Sequence, residues 1–196
     1  MKRFSGYGWL DERGMTLLEV MMVVAILGTV AAMAAMVSPS FIQHQKAEAG
    51  IAQAMDALRS AREVAISQRR NVLVNFVGNN VIQTVRVEVV GGGQTVLRTI
   101  QFENRMQFRI EAGVNPLDTP DNFGDKVNPN NPIAFGAGAQ RMFTSEGTFV
   151  NGAGDPINGT LFIAIPGQRT SQRAITVFGA TALLRAWRWN GRDWQE

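Results

Sequence analysis

One histidine and no cysteine among 196 residues leave little from which to build a catalytic centre. Zinc sites, Cys–His pairs and Ser–His–Asp arrangements all need more of these side chains than the chain carries. His44, the one imidazole, falls in a helical stretch and reads as a solvated or packing residue. Asp118, Asp121 and Asp125 offer carboxylates to a calcium ion, but they miss the EF-hand spacing, and solvation of a loop accounts for them better. Gly91, Gly92 and Gly93 lack the lysine and the serine or threonine of a phosphate-binding loop and read as a turn. Asn158-Gly159-Thr160 fits the glycosylation acceptor pattern and reads more simply as a turn entering a strand. No enzyme and no cofactor is expected. The carboxylate that calls for an explanation is Glu19, just inside an otherwise uncharged run.

That run covers residues 15–37, 23 residues or about 35 Å of α-helix, against a hydrocarbon core of about 30 Å. A carboxylate near the end of such a span costs on the order of a few kcal/mol unless neutralised, so its default reading is functional. Lys2 and Arg3 precede the run closely, and Lys46 is the next basic residue after it. By the positive-inside rule the N-terminus is cytoplasmic and the bulk of the chain lies outside. An ordinary membrane anchor and a secretory signal cut near residues 31–35 are the plain alternatives. Both leave Glu19 unexplained.

Gly14-Met15-Thr16-Leu17-Leu18-Glu19 resembles the class III signal of type IV pilins and pseudopilins. The resemblance implies that residues 1–14 are a leader removed by a prepilin peptidase between Gly14 and Met15. It implies also that Met15 is N-methylated and that Glu19 guides assembly by pairing with the N-terminal amine of a neighbouring subunit. In low dielectric an unpaired carboxylate is disfavoured and a paired one is not, so pairing rewards the correct stagger. Gly28, Ala25, Ala31, Ala32 and Ala35 would let neighbouring helices approach closely. The leader is long and carries Phe4, Tyr7 and Trp9, and Pro39 falls a few residues later than the family's usual spine proline.

The remaining elements set where these residues stand. Residues 41–70 contain no proline and only one glycine, and Ile51, Met55, Leu58 and Ala65 recur on one helical face. Lys46, Glu48, Asp56, Arg59, Glu63, Arg69 and Arg70 are available for the opposite side. One spine helix is expected over about 15–68, apolar in its membrane half (15–37) and amphipathic in the second half (38–70). From Asn71 the period changes to two. Strands are expected near 72–76, 81–90, 95–103, 106–110, 139–145, 160–165, 172–178 and 181–189. Residues 111–138, rich in proline, asparagine, aspartate and glycine, are expected as a long surface loop. The fold class is α+β, a long N-terminal helix packed on an antiparallel β-sheet domain over 71–196. About 126 residues follow Arg70, enough for one modest core. Without disulfides that core depends on packing and the sheet network.

Three later segments extend the resemblance over nearly the whole chain. Met142-Phe143-Thr144-Ser145-Glu146-Gly147-Thr148 looks like the strand–glycine motif of FimT/GspH-type minor pilins. Gly159-Thr160-Leu161-Phe162-Ile163-Ala164-Ile165 and Arg173-Ala174-Ile175-Thr176-Val177-Phe178-Gly179 are similar to that family's closing strands. The family's glycine-arginine pattern is absent, since Gly179 is followed by Ala180 and the next arginine is Arg185.

The net charge of +3, from 19 basic and 16 acidic residues, does not by itself call for nucleic acid. A local concentration stands out near the C-terminus. Arg169, Arg173, Arg185, Arg188 and Arg192 are interleaved there with Trp187, Trp189 and Trp194. Alternation along a strand puts Arg185, Trp187 and Trp189 on one face and Arg188 on the other. Such a segment suits docking to another pilin domain, with DNA as the lesser expectation.

The function expected is a minor pilin priming or capping a type IV pilus. The alternatives are a minor pseudopilin of a type II secretion system and a pilus-presented DNA-binding module. Expected partners are other major and minor pilins through the N-terminal helix, the prepilin peptidase and the inner-membrane assembly platform. The expected location is the bacterial inner membrane, single-pass with a periplasmic globular domain, and then the base or tip of a pilus or pseudopilus.

Overall fold

The computed structural model describes residues 15–35, 39–88, 92–114, 120–136 and 140–196. The chain divides into two units, Met1–Phe41 and Ile42–Glu196. In the first, helix α1 runs over Leu17–Ala35. Thr16 caps it, its carbonyl accepting from the Glu19 and Val20 N–H groups and its hydroxyl from Glu19 N–H at 3.2 Å. Thr16-Leu17-Leu18-Glu19 thus has the spacing of a capping box, with glutamate where a carboxylate also faces the positive end of the helix dipole. Every described side chain of α1 from Leu17 to Met33 is exposed.

Helix α2, Pro39–Gln68, opens on proline, a position where the missing N–H is no loss. Residues 36–38 lie outside the description, so the expected spine helix is seen as two helical segments. The buried face of α2 is laid with Ala47, Ile51, Ala54, Met55, Ala57, Leu58, Ala61 and Ala65. Its alanines bring the helix close to what it covers. Gly50 goes further, since a Cβ there would stand 2.9 Å from Met106 Cγ.

What α2 covers is a pair of antiparallel sheets. The first joins β1 (Val72–Val77), β2 (Val81–Val87), β3 (Gln94–Gln101), β6 (Arg141–Phe143) and β7 (Phe149–Asn151) in the order β3-β2-β1-β6-β7. The second joins β4 (Gln107–Phe108), β8 (Gly159–Ala164), β9 (Arg173–Phe178), β10 (Leu183–Trp189) and β11 (Trp194–Gln195) in the order β11-β10-β9-β8-β4, with β5 (Ile133–Ala134) also pairing β8. Both sheets send alternate side chains into one core with α2. Val72, Val74 and Ile82 come from the first, and Leu161, Ile163, Ile175 and Val177 from the second. Burying Leu58 or Ile175 there contributes about 2–3 kcal/mol each.

The expected surface loop over 111–138 needs correction. Residues 115–119, with Pro116 and Asp118, lie outside the description. The rest is anchored: Val114, Pro120, Ala134 and Phe135 are buried, a short 3-10 turn forms at Pro120–Asn122, and β5 pairs with β8. Ile133 and Phe135 are spaced to alternate inward, a signal two residues long and masked by the polar residues around it. Strands β7 and β11, three and two residues long, were not expected either. The expected strand over 81–90 is seen to Val87, and Val89 and Val90 fall outside the description.

Candidate functional site

At the N-terminus, Gly14 and the leader lie outside the described residues and Met15 is the first described. Glu19 stands at the third position of α1, exposed and without an ion pair among the described residues. Around it the exposed apolar side chains continue on every side: Leu17, Leu18, Val20, Met21, Met22 and Val23. A helix apolar all round belongs in a membrane or among other helices. Gly28 has nothing within 4 Å of the position its Cβ would take, so that side of α1 is open to close approach. Among the described residues no helix is long and apolar enough to cross a membrane. Helix α1 as described has 19 of the 23 residues of the expected span, about 28 Å.

The C-terminal arginines and tryptophans are not gathered into one exposed surface. Arg173, the first residue of β9, points inward and is 1% exposed. Its Nε donates to Glu48 Oε1 on α2 at 3.1 Å and its Nη2 lies 2.9 Å from the same oxygen, while Nη1 donates to the Thr170 and Gln172 carbonyls. Burial pulls its pKa below the ordinary guanidinium value and Glu48 opposes that. The contact itself clamps α2 to the second sheet. Glu48, expected on the solvent side, is half-exposed and turned back to meet it. Periodicity does not report such a partner, 125 residues away.

Trp189 is 3% exposed, edge-on to Trp194 at 5.3 Å and covered by the Arg169 guanidinium at 5.8 Å. Trp194 in turn packs on Phe162 at 5.8 Å. Arg185 and Trp187 do share a face, but both are engaged. Trp187 Nε1 donates to Thr176 Oγ1 at 3.0 Å, Thr176 Oγ1 donates to Asp121 Oδ2 at 2.7 Å, and Arg185 Nη1 donates to Asp121 Oδ1 at 3.1 Å. Arg188 lies on the opposite face in register with Arg173, and Arg192 is exposed beside Asp193 at 3.9 Å.

Asp121 therefore pins the segment 120–123 onto β9 and β10. It does so from a left-handed backbone (φ 56°), a conformation that aspartate tolerates better than most residues. Asp125 is occupied otherwise. It accepts the Val127 and Asn128 N–H groups at 2.9 Å each and the Asn131 amide at 3.3 Å, and these bonds hold its pKa below the usual carboxylate range. Among the described residues no three of His, Cys, Asp and Glu converge on a metal position. Sequence reading had not singled out Arg141, half-buried beside the stacked Phe76 and Phe135 rings at 5.7 Å from each. Nor had it singled out Gln172, fully buried and joining the 109–111 backbone to β8 and β9. Neither position shows a local pattern that would reveal it.

Residues 9–35 match the prokaryotic N-terminal methylation motif. No curated protein matches the chain. Among solved structures, the minor pseudopilin EpsH from the type 2 secretion system of Vibrio cholerae is similar at 16% identity and a TM-score of 0.44, over 70% of this chain and 94% of that one.

Proposed function

We propose that this chain, a type IV pilin-like protein by its N-terminal methylation motif, is a minor subunit of a pilin-built filament, either a pilus or the pseudopilus of a type II secretion system. The observation that carries the reading is the motif together with Glu19, an exposed carboxylate on a helix that is apolar on all sides. On this reading the leader is cut after Gly14, the Met15 amine is methylated, and residues 15–37 hold the subunit in the inner membrane as a single span. Glu19 then meets the N-terminal amine of the preceding subunit at one stagger only. Mass spectrometry of the mature N-terminus tests the cut: a methylated Met15 is expected, and a terminus beyond Ala31 would mark an ordinary secretory signal.

Because Glu19 also occupies the third position of a capping box, its charge and its capping role must be separated. Glu19→Gln keeps a side chain that can complete the box and removes the charge, whereas Glu19→Ala removes both. Both variants are expected to be cut and inserted normally yet be lost from sheared filaments. Recovery of Glu19→Gln at the wild-type level would reduce Glu19 to a cap. Co-purification of the wild-type chain with sheared pili or with a secretion apparatus separates the two kinds of filament.

A further inference from the structure

Three of the large apolar side chains exposed on the second unit stand together. Leu183 is 50% exposed, its direct cross-strand partner Phe178 is 40% exposed, and Ile66 at the C-terminal end of α2 is 45% exposed. Leu183 forms the wall between two hollows. One, of about 110 Å³, is closed by Phe123 and Phe178 with Arg185 and Asp121 at its mouth. The other, of about 320 Å³, lies between Ile66 and the β10 strand with Arg59 and Arg62 along its side.

The rim is basic in effect. Arg59 has no partner among the described residues, and Arg62 spends only its Nε, on the Gly147 carbonyl at 3.1 Å. Arg185 spends one Nη on Asp121. Of the two carboxylates lining the hollows, Asp121 is already bonded twice, and Glu63 is left facing the arginines. Apolar hollows walled by arginine are the composition of interface anchors.

We propose that this surface docks a protein segment carrying one or two large apolar side chains flanked by aspartate or glutamate. The smaller hollow accepts a single aliphatic or aromatic side chain, and the free guanidinium donors of Arg59, Arg62 and Arg185 pair with the flanking carboxylates. A lipid chain would need a longer channel than 110 Å³ provides. DNA is disfavoured because Glu63 stands among the arginines and Trp187 of β10 is tied to Thr176. The proposal rests on the patch and does not depend on filament assembly.

A phage-displayed library of random decapeptides, panned on the full-length chain in detergent with the Leu183→Asp chain as counter-selection, tests it. Enrichment of sequences with Leu, Phe or Met next to Asp or Glu is expected. By fluorescence anisotropy an enriched peptide should bind at least about tenfold more weakly to Arg59→Glu and to Leu183→Asp, and more weakly in high salt. Leu183 and Arg59 are on the surface, so unchanged melting of both variants keeps the comparison free of misfolding. Enrichment that Leu183→Asp does not abolish, sequences rich in Lys or Arg, or Leu183-dependent binding of duplex DNA in place of peptide would each overturn the proposal.

Discussion

Two charged groups stand in apolar surroundings, one in each unit, and they are treated in opposite ways. Arg173 is enclosed, and its counter-charge, Glu48, comes from the same chain at 2.9 Å. Glu19 is surrounded by leucine, valine and methionine on an exposed helix, and no partner for it occurs among the described residues. The apolar side chains divide likewise: Ala174, Ile175 and Val177 of β9 are buried, whereas all those described along α1 are open. Around Arg173 the second unit completes its electrostatics and its packing internally. The first leaves both for other molecules to complete, as a helix that packs against other helices in a membrane does.

That contrast is open to direct attack. The largest effect is expected where the second unit is tightest. A Cβ on Gly179 would lie 2.5 Å from the Ile157 backbone nitrogen and oxygen, so Gly179→Val should cost at least about 4 kcal/mol and leave little folded domain by circular dichroism. Gly28→Val, on the open side of α1, should leave the melting temperature of the second unit where it was while impairing helix association. A fall in that melting temperature would break the comparison.

Next comes the clamp. Glu48→Ala strands a buried guanidinium and should destabilise the domain by about 1–2 kcal/mol in denaturant titration, less than for a fully enclosed pair because Glu48 is half-exposed. Glu19→Ala should not move that transition at all. Asp121→Ala loses the Thr176 and Arg185 bonds and should cost about 1 kcal/mol. A change in Trp187 fluorescence should accompany it, since Thr176 bridges the two residues.

The smallest effect concerns acid. The folded Asp125 carboxyl is held below its ordinary value by two backbone N–H groups and the Asn131 amide. Its contribution is therefore complete above the unfolded value and is lost as pH falls through the lower, folded one. Amide protection in residues 125–131, taken relative to the intrinsic exchange rate at each pH, should fall on acidification below about pH 4 and stay constant between pH 6 and 8. Asp125→Asn should abolish that dependence.

Much of this architecture is written locally. Ile51, Met55, Leu58 and Ala65 are buried at 7% exposure or less, as their helical spacing requires, and Val72, Val74 and Phe76 turn to the core by alternation. The N-terminal methylation motif is local as well, matched within residues 9–35 with no partner needed inside the chain. What local pattern does not reveal is which charged residue finds a distant counterpart. Arg173 looked like part of a contact surface and is a buried clamp. Trp189 looked like an anchor and is covered by Arg169. The alanines of α2 carry little hydrophobicity individually, and only the close approach of the sheets makes them core. The short strand β5 escaped notice because its pairing with β8 is non-local.

The separation of Glu48 from Arg173 by 125 residues also sets an order of events. Ribosomal synthesis delivers α2 early, and the β1–β2 hairpin can close soon after on neighbouring residues. The strand that neutralises and covers α2 is made only in the last stretch of chain, and β1 waits likewise for β6. Non-local closures of this kind are slow, because the loop entropy is lost before any contact rewards it. Until Arg173 arrives, the alanine-lined face of α2 lacks the cover of the second sheet and Glu48 is unclamped. The nascent chain therefore passes through a long interval as a substrate for proteases and holding chaperones, and a chain stopped before Arg173 stays in it permanently.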